Sequence, residues 1–295
     1  MATFAKAGFD SARYLRYRPQ YTSQLYSALL EYHHGSTGTA LDCGAGTCQV
    51  AGALASRFTN VQATDPSERM VSEAPKGLPN NVKVSVASAE RLPFPTGSAD
   101  LIVAGQAAHW FDIPRFFAEA HRVLKPDGKG TVAVWGYTLL QFPKRESITK
   151  RVHAFCYGTG EGQMGEYWEG KRAVLDSKYS GFEDAAREAG FVDVERWDYP
   201  LSGTFVSEHN PPNWPRQYDA VKKSVQIIER DLSLNGLKDY LSTFSAYKNY
   251  VDKHAGAPDA LDAFIETTAK EEGITDRDEV WETQWPGVVI IARTK

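Results

Sequence analysis

Cysteine is scarce in this chain: Cys43, Cys48 and Cys156 are the three among 295 residues. Three is too few, and odd, for a disulfide framework. Cys43 and Cys48 lie close together, but no further Cys or His cluster offers metal-ligand spacing, so no metal is expected. Long apolar runs are missing too. Nothing reaches the ~18 consecutive apolar residues of a membrane span. The opening MATFAKAGFD has no apolar secretory core. Positive charge is not in excess, with 33 Lys and Arg against 37 Asp and Glu, a formal net charge of −4. A broad positive field for duplex nucleic acid is therefore absent, and any anion site must be local. Internal repeats and low-complexity tracts are also absent. These absences lead to the expectation of a reduced, cytoplasmic, metal-free protein with neither nucleic acid nor membrane as partner.

What remains is an ordinary globular composition, 42% apolar and 24% charged. That is enough apolar surface to offset the ordering entropy of a folded chain. The length suits about two domains of ~150 residues, or one α/β domain with an insertion. TALDCG (39–44), NVQATD (60–65), VKVSVAS (82–88), SADLIVAGQ (98–106) and GTVAVWGY (130–137) read as short buried strands. Between them, 47–57, 66–74 and 112–128 show helical spacing of apolar residues. Pro66 is tolerated in a first turn, and Ser67 or Asp65 can cap it. Alternating strands and helices predict a parallel sheet covered on both faces, doubly wound over 35–137. Further on, 179–191 reads as a helix and 191–205 as a strand. Residues 211–232 and 235–273 read as helical, and 280–295 as a last strand interrupted at Pro-Gly. The expected fold class is α/β: a doubly wound, Rossmann-like, mostly parallel seven-stranded sheet with an antiparallel last strand and a helical cover insertion.

The sharpest local signal is Leu41-Asp42-Cys43-Gly44-Ala45-Gly46-Thr47, between a strand and a helix. Glycines at 44 and 46 permit a tight turn and close approach of a ligand, with helix amides behind them. A nicotinamide fingerprint needs a third glycine where Gln49 stands, and a phosphate loop needs Gly-Lys-Ser/Thr, so both patterns fail. Asp42 repels phosphate but can pair with an amino group. Asp65, nineteen residues past Gly46, ends the second strand, where an acid can accept both ribose hydroxyls or cap the next helix. Ser88-Ala89-Glu90 follows the third strand, placed to meet an adenine edge. Gln106-Ala107-Ala108-His109-Trp110-Phe111 follows the fourth. All four points fall at carboxyl ends of strands, where open α/β sheets bind ligands. Together they describe a pocket for an adenosine carrying a cation and an amino acid.

The succession ALDCGAGTCQVA, ATDPSERM, ASAERLPFPTGSADLIVAGQAAHWFD and VLKPDGKGTVAVWGY resembles the class I S-adenosylmethionine-dependent methyltransferases. SARYLRYRPQYTSQLY, AHWFD, WGY, GEYWE and LKDYLSTFSAYKNY resemble the trans-aconitate methyltransferase branch of that family, from about residue 8 to 292. The resemblance implies S-adenosyl-L-methionine as cofactor, S-adenosyl-L-homocysteine as product, and no metal. It implies that Asp42, Gly44, Ala45 and Gly46 line the methionine part. Asp65 and Pro66 would hold the ribose, with Ser67 and Met70 beside it. Ser88, Ala89 and Glu90 would flank the adenine. Gln106 would present backbone to the methionine amino group, next to Ala107 and Trp110. Tyr14, Tyr17 and Arg18 would close over cofactor or acceptor. Cys48 stands near where the family loop usually has a further glycine or proline.

A carboxylate acceptor is already ionised at neutral pH and needs no base. A phenol or alcohol needs one, and His109 is the candidate catalytic residue, unless it is a packed wall beside Trp110 and Phe111. Trp135, Tyr137, Trp168 and Tyr247 are candidate acceptor-binding aromatics, able to shield a sulfonium or stack on a planar substrate. Tyr157, Tyr167 and Trp285 lie in the same covering segments. Arg18, Lys171 and Arg172 are a candidate carboxylate clamp, unless the Lys-Arg pair is a solvated face. The expected organisation is a helical lid over 1–34, a cofactor-binding core over 35–137 and a cover over 138–178. A helix and strand over 179–205, a helical insertion over the active site at 206–279 and a last strand at 280–295 complete it. The expected activity is methyl transfer to a small-molecule acceptor, at a carboxylate or phenolic oxygen, by a monomer or homodimer. The alternative is a cofactor-binding protein of this fold with isomerase- or cyclase-type activity.

Overall fold

The computed structural model describes residues 16–199 and 222–295. Its strands are β1 (Thr39–Cys43), β2 (Asn60–Asp65), β3 (Val82–Val86), β4 (Leu101–Gly105), β5 (Thr131–Tyr137), β6 (Val192–Tyr199) and β7 (Gly287–Arg293). They form one seven-stranded sheet in the order β3-β2-β1-β4-β5-β7-β6. β1 to β5 pair in parallel, and β7 runs antiparallel to both β5 and β6. This is the expected doubly wound architecture.

The helices are α1 (Ser23–Tyr32), α2 (Gln49–Leu54), α3 (Glu68–Ser72), α4 (Ile113–Val123) and α5 (Glu146–Tyr157). After them come α6 (Arg172–Asp176), α7 (Phe182–Glu188), α8 (Leu234–Leu241), α9 (Ser245–Lys253) and α10 (Ala260–Glu271). Side chains alternate across a strand. Ala40, Val61, Val103 and Trp135 therefore join one core layer, with Leu25, Leu29, Ala51 and Leu54 from α1 and α2. Leu41, Ile102, Ala104, Val132 and Val134 join the other, with Phe116, Phe117, Ala120 and Val123 from α4. Both faces are covered, which is why LIVAG and TVAVWGY are apolar nearly throughout. The winding reverses between β1 and β4, which are neighbours in the sheet. A crevice opens outside the carboxyl ends of strands at such a reversal.

Three expectations need correction. Residues 222–232, the described end of the segment expected to be helical over 211–232, are extended. They bridge Trp197 to Lys223, Tyr21 to Ile228 and Leu232 to Trp281. Val225, Ile227 and Ile228 are all buried, and such β-branched residues favour an extended path. The stretch 235–273 is three helices, broken after Leu241 and again around Gly256 and Pro258, where Asp259 caps α10. The last strand begins only at Gly287, because Pro286 has no N–H to contribute to a ladder. Residues 200–205 of the expected sixth strand lie outside the described residues.

The cover is pinned tightly to β5. A Cβ on Gly136 would sit 2.6 Å from Leu175 Cδ1 and 2.8 Å from the Tyr179 hydroxyl. Gly136→Ala should therefore lower stability by about 1–3 kcal/mol, as overpacking does. Thermal unfolding measures it, and an unchanged Tm would contradict this packing.

Candidate active site

The crevice is walled first by the turn after β1. Gly44 and Gly46 have φ of +69° and +50°. The Gly44 and Ala45 N–H groups both donate to the Thr64 carbonyl, at 2.8 and 2.9 Å, which bends the loop back over β2. A Cβ on Gly44 would lie 2.7 Å from Ala107 Cβ, so glycine is what lets the two loops meet. Cys48 also takes a positive φ, +61°, and starts α2 without a side-chain cap. It is buried.

Two acids face the crevice here. Asp42 is 1% exposed, and its carboxylate accepts the Ala51 N–H at 3.0 Å. Burial, opposed by that hydrogen bond and reinforced by Asp65, pushes its pKa up to about 7. Asp65 accepts the Gly46 N–H at 3.0 Å through one oxygen and the Ser67 N–H at 2.9 Å through the other. It thus ties the glycine turn to the end of β2, and burial holds its pKa above the ordinary value. The cap of α3 is Ser67, whose Oγ accepts from the Met70 N–H, so Asp65 is not spent as a helix cap.

The floor comes from the ends of β4 and β5. Gln106 has φ +54°. Its side-chain amide grips the Tyr137 backbone, donating to the carbonyl at 3.1 Å and accepting from the N–H at 2.8 Å. His109 sits on a 3-10 turn, Ala108–Trp110. It is 8% exposed, with Nδ1 3.4 Å from the Tyr179 hydroxyl. Burial first, then the positive charges of Arg172, Arg18 and Lys171, push its pKa down to about 3.

The far end is built from dispersed segments. Arg18 donates to the Tyr137 hydroxyl at 3.3 Å and to the Thr243 carbonyl at 3.4 Å. Its guanidinium lies over the Tyr240 and Phe244 rings. Arg172 lies over Trp168 and pairs with Asp176. Ser245, the first residue of α9, is in the same wall, and no side chain caps that helix.

One cavity gathers these groups. Of the residues singled out in the sequence, Arg18, Asp42, Gly44, Ala45, Gly46, Asp65, Pro66, Ser67 and Met70 line it. So do Gln106, Ala107, His109, Trp110, Tyr137, Trp168 and Arg172. Tyr17, Ser88, Ala89, Glu90, Trp135 and Tyr247 are not in its wall. Glu90 instead accepts the Asp112 N–H at 2.9 Å. Trp135 is fully enclosed and meets Tyr21 edge to face. The Tyr247 hydroxyl bonds Asp259 on the surface. Tyr14 lies outside the described residues. Thr47 and Phe111, which end the two stretches read as pocket-forming, also line it; sequence reasoning missed Tyr21, Gln49, Val50, Gly105, Glu169, Leu175 and Ser245. Most adjoin a residue that was named. Ser245 had no signal, because the start of α9 was not resolved within one long helical reading.

A family model described as methyltransferase domain matches residues 41–132. A Dictyostelium discoideum protein bearing a methyltransferase name is 28% identical over 289 residues, 98% of this chain and 94% of its own length. A Saccharomyces cerevisiae protein named as an S-adenosylmethionine-dependent methyltransferase is 25% identical, over 89% of this chain and 88% of its own. The solved structure of a type II methyltransferase from Anaeromyxobacter dehalogenans superposes with a TM-score of 0.65 at 26% identity, covering 94% of this chain and 97% of that one. This chain is an S-adenosylmethionine-dependent methyltransferase.

The methyltransferase's cavity suits that cofactor in sign. Between residues 42 and 111 its wall holds Asp42 and Asp65 and no Lys or Arg. Gln49 adds an amide Nε2 that is buried without a partner among the described residues, a donor left for a ligand.

A stability test follows from Asp42. Its folded pKa is raised, so the folded state holds the proton more tightly than the unfolded chain. Ionisation therefore destabilises the fold as pH rises from about 4 towards 7. In the ligand-free methyltransferase, Asp42→Asn should raise Tm by several degrees at pH 8, with the gain shrinking towards pH 5. The same substitution should weaken cofactor binding in calorimetry by tenfold or more. A lowered Tm at pH 8 with unchanged affinity would contradict the assignment.

Proposed function

We propose that this methyltransferase esterifies a small organic acid. Bound S-adenosylmethionine supplies a methyl group on a sulfonium, which an oxygen nucleophile displaces in line. In this reading Asp42 meets the cofactor's ammonium, and Asp65 keeps lone pairs for the ribose hydroxyls while it holds the loop. Gln106 and Ala107 shape the wall beside the methionine, and Pro66, Ser67 and Met70 lie beyond the ribose. Arg18, Tyr137, Trp168 and Arg172 surround the acceptor.

The observation that carries the acid is the convergence at the far end. Two guanidiniums, the buried Arg18 and the half-buried Arg172, line the wall with one carboxylate, Glu169. The N-terminus of the nine-residue helix α9, which no side chain caps, adds the positive end of its dipole. An anionic oxygen is what such an end favours. A carboxylate oxygen would bond the methyl carbon as the methyl–sulfur bond broke, with the electron pair leaving on sulfur. No proton moves. Both substrates lose charge on the way, so most of the rate must come from holding them in line with water kept out.

His109 argues the same way. A general base is most effective with a pKa near the working pH. Burial and nearby cations hold this imidazole far below that, at about 3. A phenol would leave it a weak base, whereas a carboxylate asks nothing of it. His109 is then a neutral wall between Trp110 and Tyr179. An acid acceptor is also consistent with the resemblance to the trans-aconitate methyltransferase branch.

Cofactor labelled at the methyl group, incubated with a panel of aliphatic and aromatic mono- and dicarboxylic acids, tests the proposal. Esters release volatile labelled methanol in mild base, and aryl ethers do not. The expected result is base-labile label on an acid. His109→Asn should keep that activity within about tenfold. Base-stable label on phenols, lost in His109→Asn, would overturn the reading.

A further inference from the structure

Arg172 is anchored along one edge. Its Nε forms an ion pair with Asp176 Oδ1 at 2.8 Å, without hydrogen-bond geometry, and Nη2 donates to the Tyr157 hydroxyl at 3.0 Å. That hydroxyl donates in turn to the same Asp176 oxygen at 2.9 Å. The guanidinium lies 4.6 Å from the centre of the Trp168 ring. Trp168 is itself fixed, because its indole N–H donates to the Cys156 carbonyl at 2.7 Å. Nη1, on the opposite edge, has no hydrogen-bond partner among the described residues. Arg172 lines the acceptor end of the cavity, while Tyr157 and Asp176 stand outside its wall.

An acid placed behind a cation is a poor choice for raising local positive charge. Asp176 offsets the very field that would draw an anion. It is a good choice for fixing direction. A guanidinium is planar, so holding Nε and Nη2 against fixed partners, with a ring below, leaves little freedom for Nη1. Fixing a flexible side chain in advance removes ordering entropy from the binding step. The reason for a triad here is therefore orientation.

We propose that Tyr157 and Asp176 are positioning residues that hold the open edge of Arg172 towards an acid group of the acceptor. This rests on the acid-acceptor reading above. The triad lies outside residues 41–132, so it sets acceptor preference without touching the glycine turn or its acids.

Tyr157→Phe and Asp176→Asn separate orientation from charge. Tyr157→Phe changes no charge and removes one anchor. Asp176→Asn removes a negative charge and the ionic anchor together. The full-length variants are assayed with the panel acid that gives the most base-labile label. Calorimetry of that acid on protein saturated with S-adenosylhomocysteine gives its affinity apart from turnover. Tyr157→Phe should raise KM and Kd for the acid about five- to twentyfold, with kcat within about twofold and cofactor affinity unchanged. Asp176→Asn should weaken the acid at least as much, although a site governed by net charge would bind it more tightly.

Tighter acid binding in Asp176→Asn, or unchanged KM and Kd in Tyr157→Phe, overturns the positioning role while wild-type ester formation stands. Parallel losses of acid and cofactor affinity also overturn it, since they mark general loosening. If the wild type esterifies no acid in the panel, the underlying reading fails and the positioning role falls with it.

Discussion

A carboxylate that lines a cavity without a cation of its own leaves that charge to be met by whatever enters. Asp42 and Asp65, at the ends of adjacent parallel strands, impose that condition here. Their positions follow from the register that pairs Asp42 with Ala63 and carries β2 two residues further. Asp65 also holds the glycine turn in shape through Gly46, so the loop's geometry and the cavity's sign share one side chain. Desolvation keeps both carboxyls above their ordinary pKa. The fold thus carries a strain that a cationic ligand relieves, a common trade between stability and function.

The cavity has two halves of different origin. The acidic half is contiguous in sequence, runs from Asp42 to Phe111, and falls inside the matched methyltransferase domain. The far half draws on Arg18, Tyr137, Trp168, Arg172 and Ser245, which topology alone brings together. The two halves differ in charge: Asp42 and Asp65 line the first, Arg18 and Arg172 the second. The Gln106 amide, bonded twice to the Tyr137 backbone, ties one half to the other.

How much of this was legible in sequence depended on range. The strands and the turn were readable because their signals are local: apolar runs, two glycines and an acid. Asp42 and Asp65 were legible for the same reason. Glu90 and Trp135 misled because position after or within a strand does not say which way a side chain faces. Glu90 turned to the Asp112 N–H, and Trp135 to the core. The extended path of 222–232 was read as helix because its partners, Tyr21, Trp197 and Trp281, come from distant segments. Ser245 and the Tyr157–Asp176–Arg172 triad were invisible for a related reason. The triad joins two helices across 15 and 19 positions, which no local pattern marks, and Ser245 meets the cavity only through the fold.

The central claim is that the two acids make this a cavity for a cationic, phosphate-free adenosine. Titration calorimetry of the ligand-free protein against S-adenosylmethionine, NADH and ATP tests it most directly. The account predicts one-to-one binding of S-adenosylmethionine with a Kd in the micromolar range, and no displacement by excess NADH or ATP. Binding of either phosphorylated nucleotide, with no heat from S-adenosylmethionine, would contradict it.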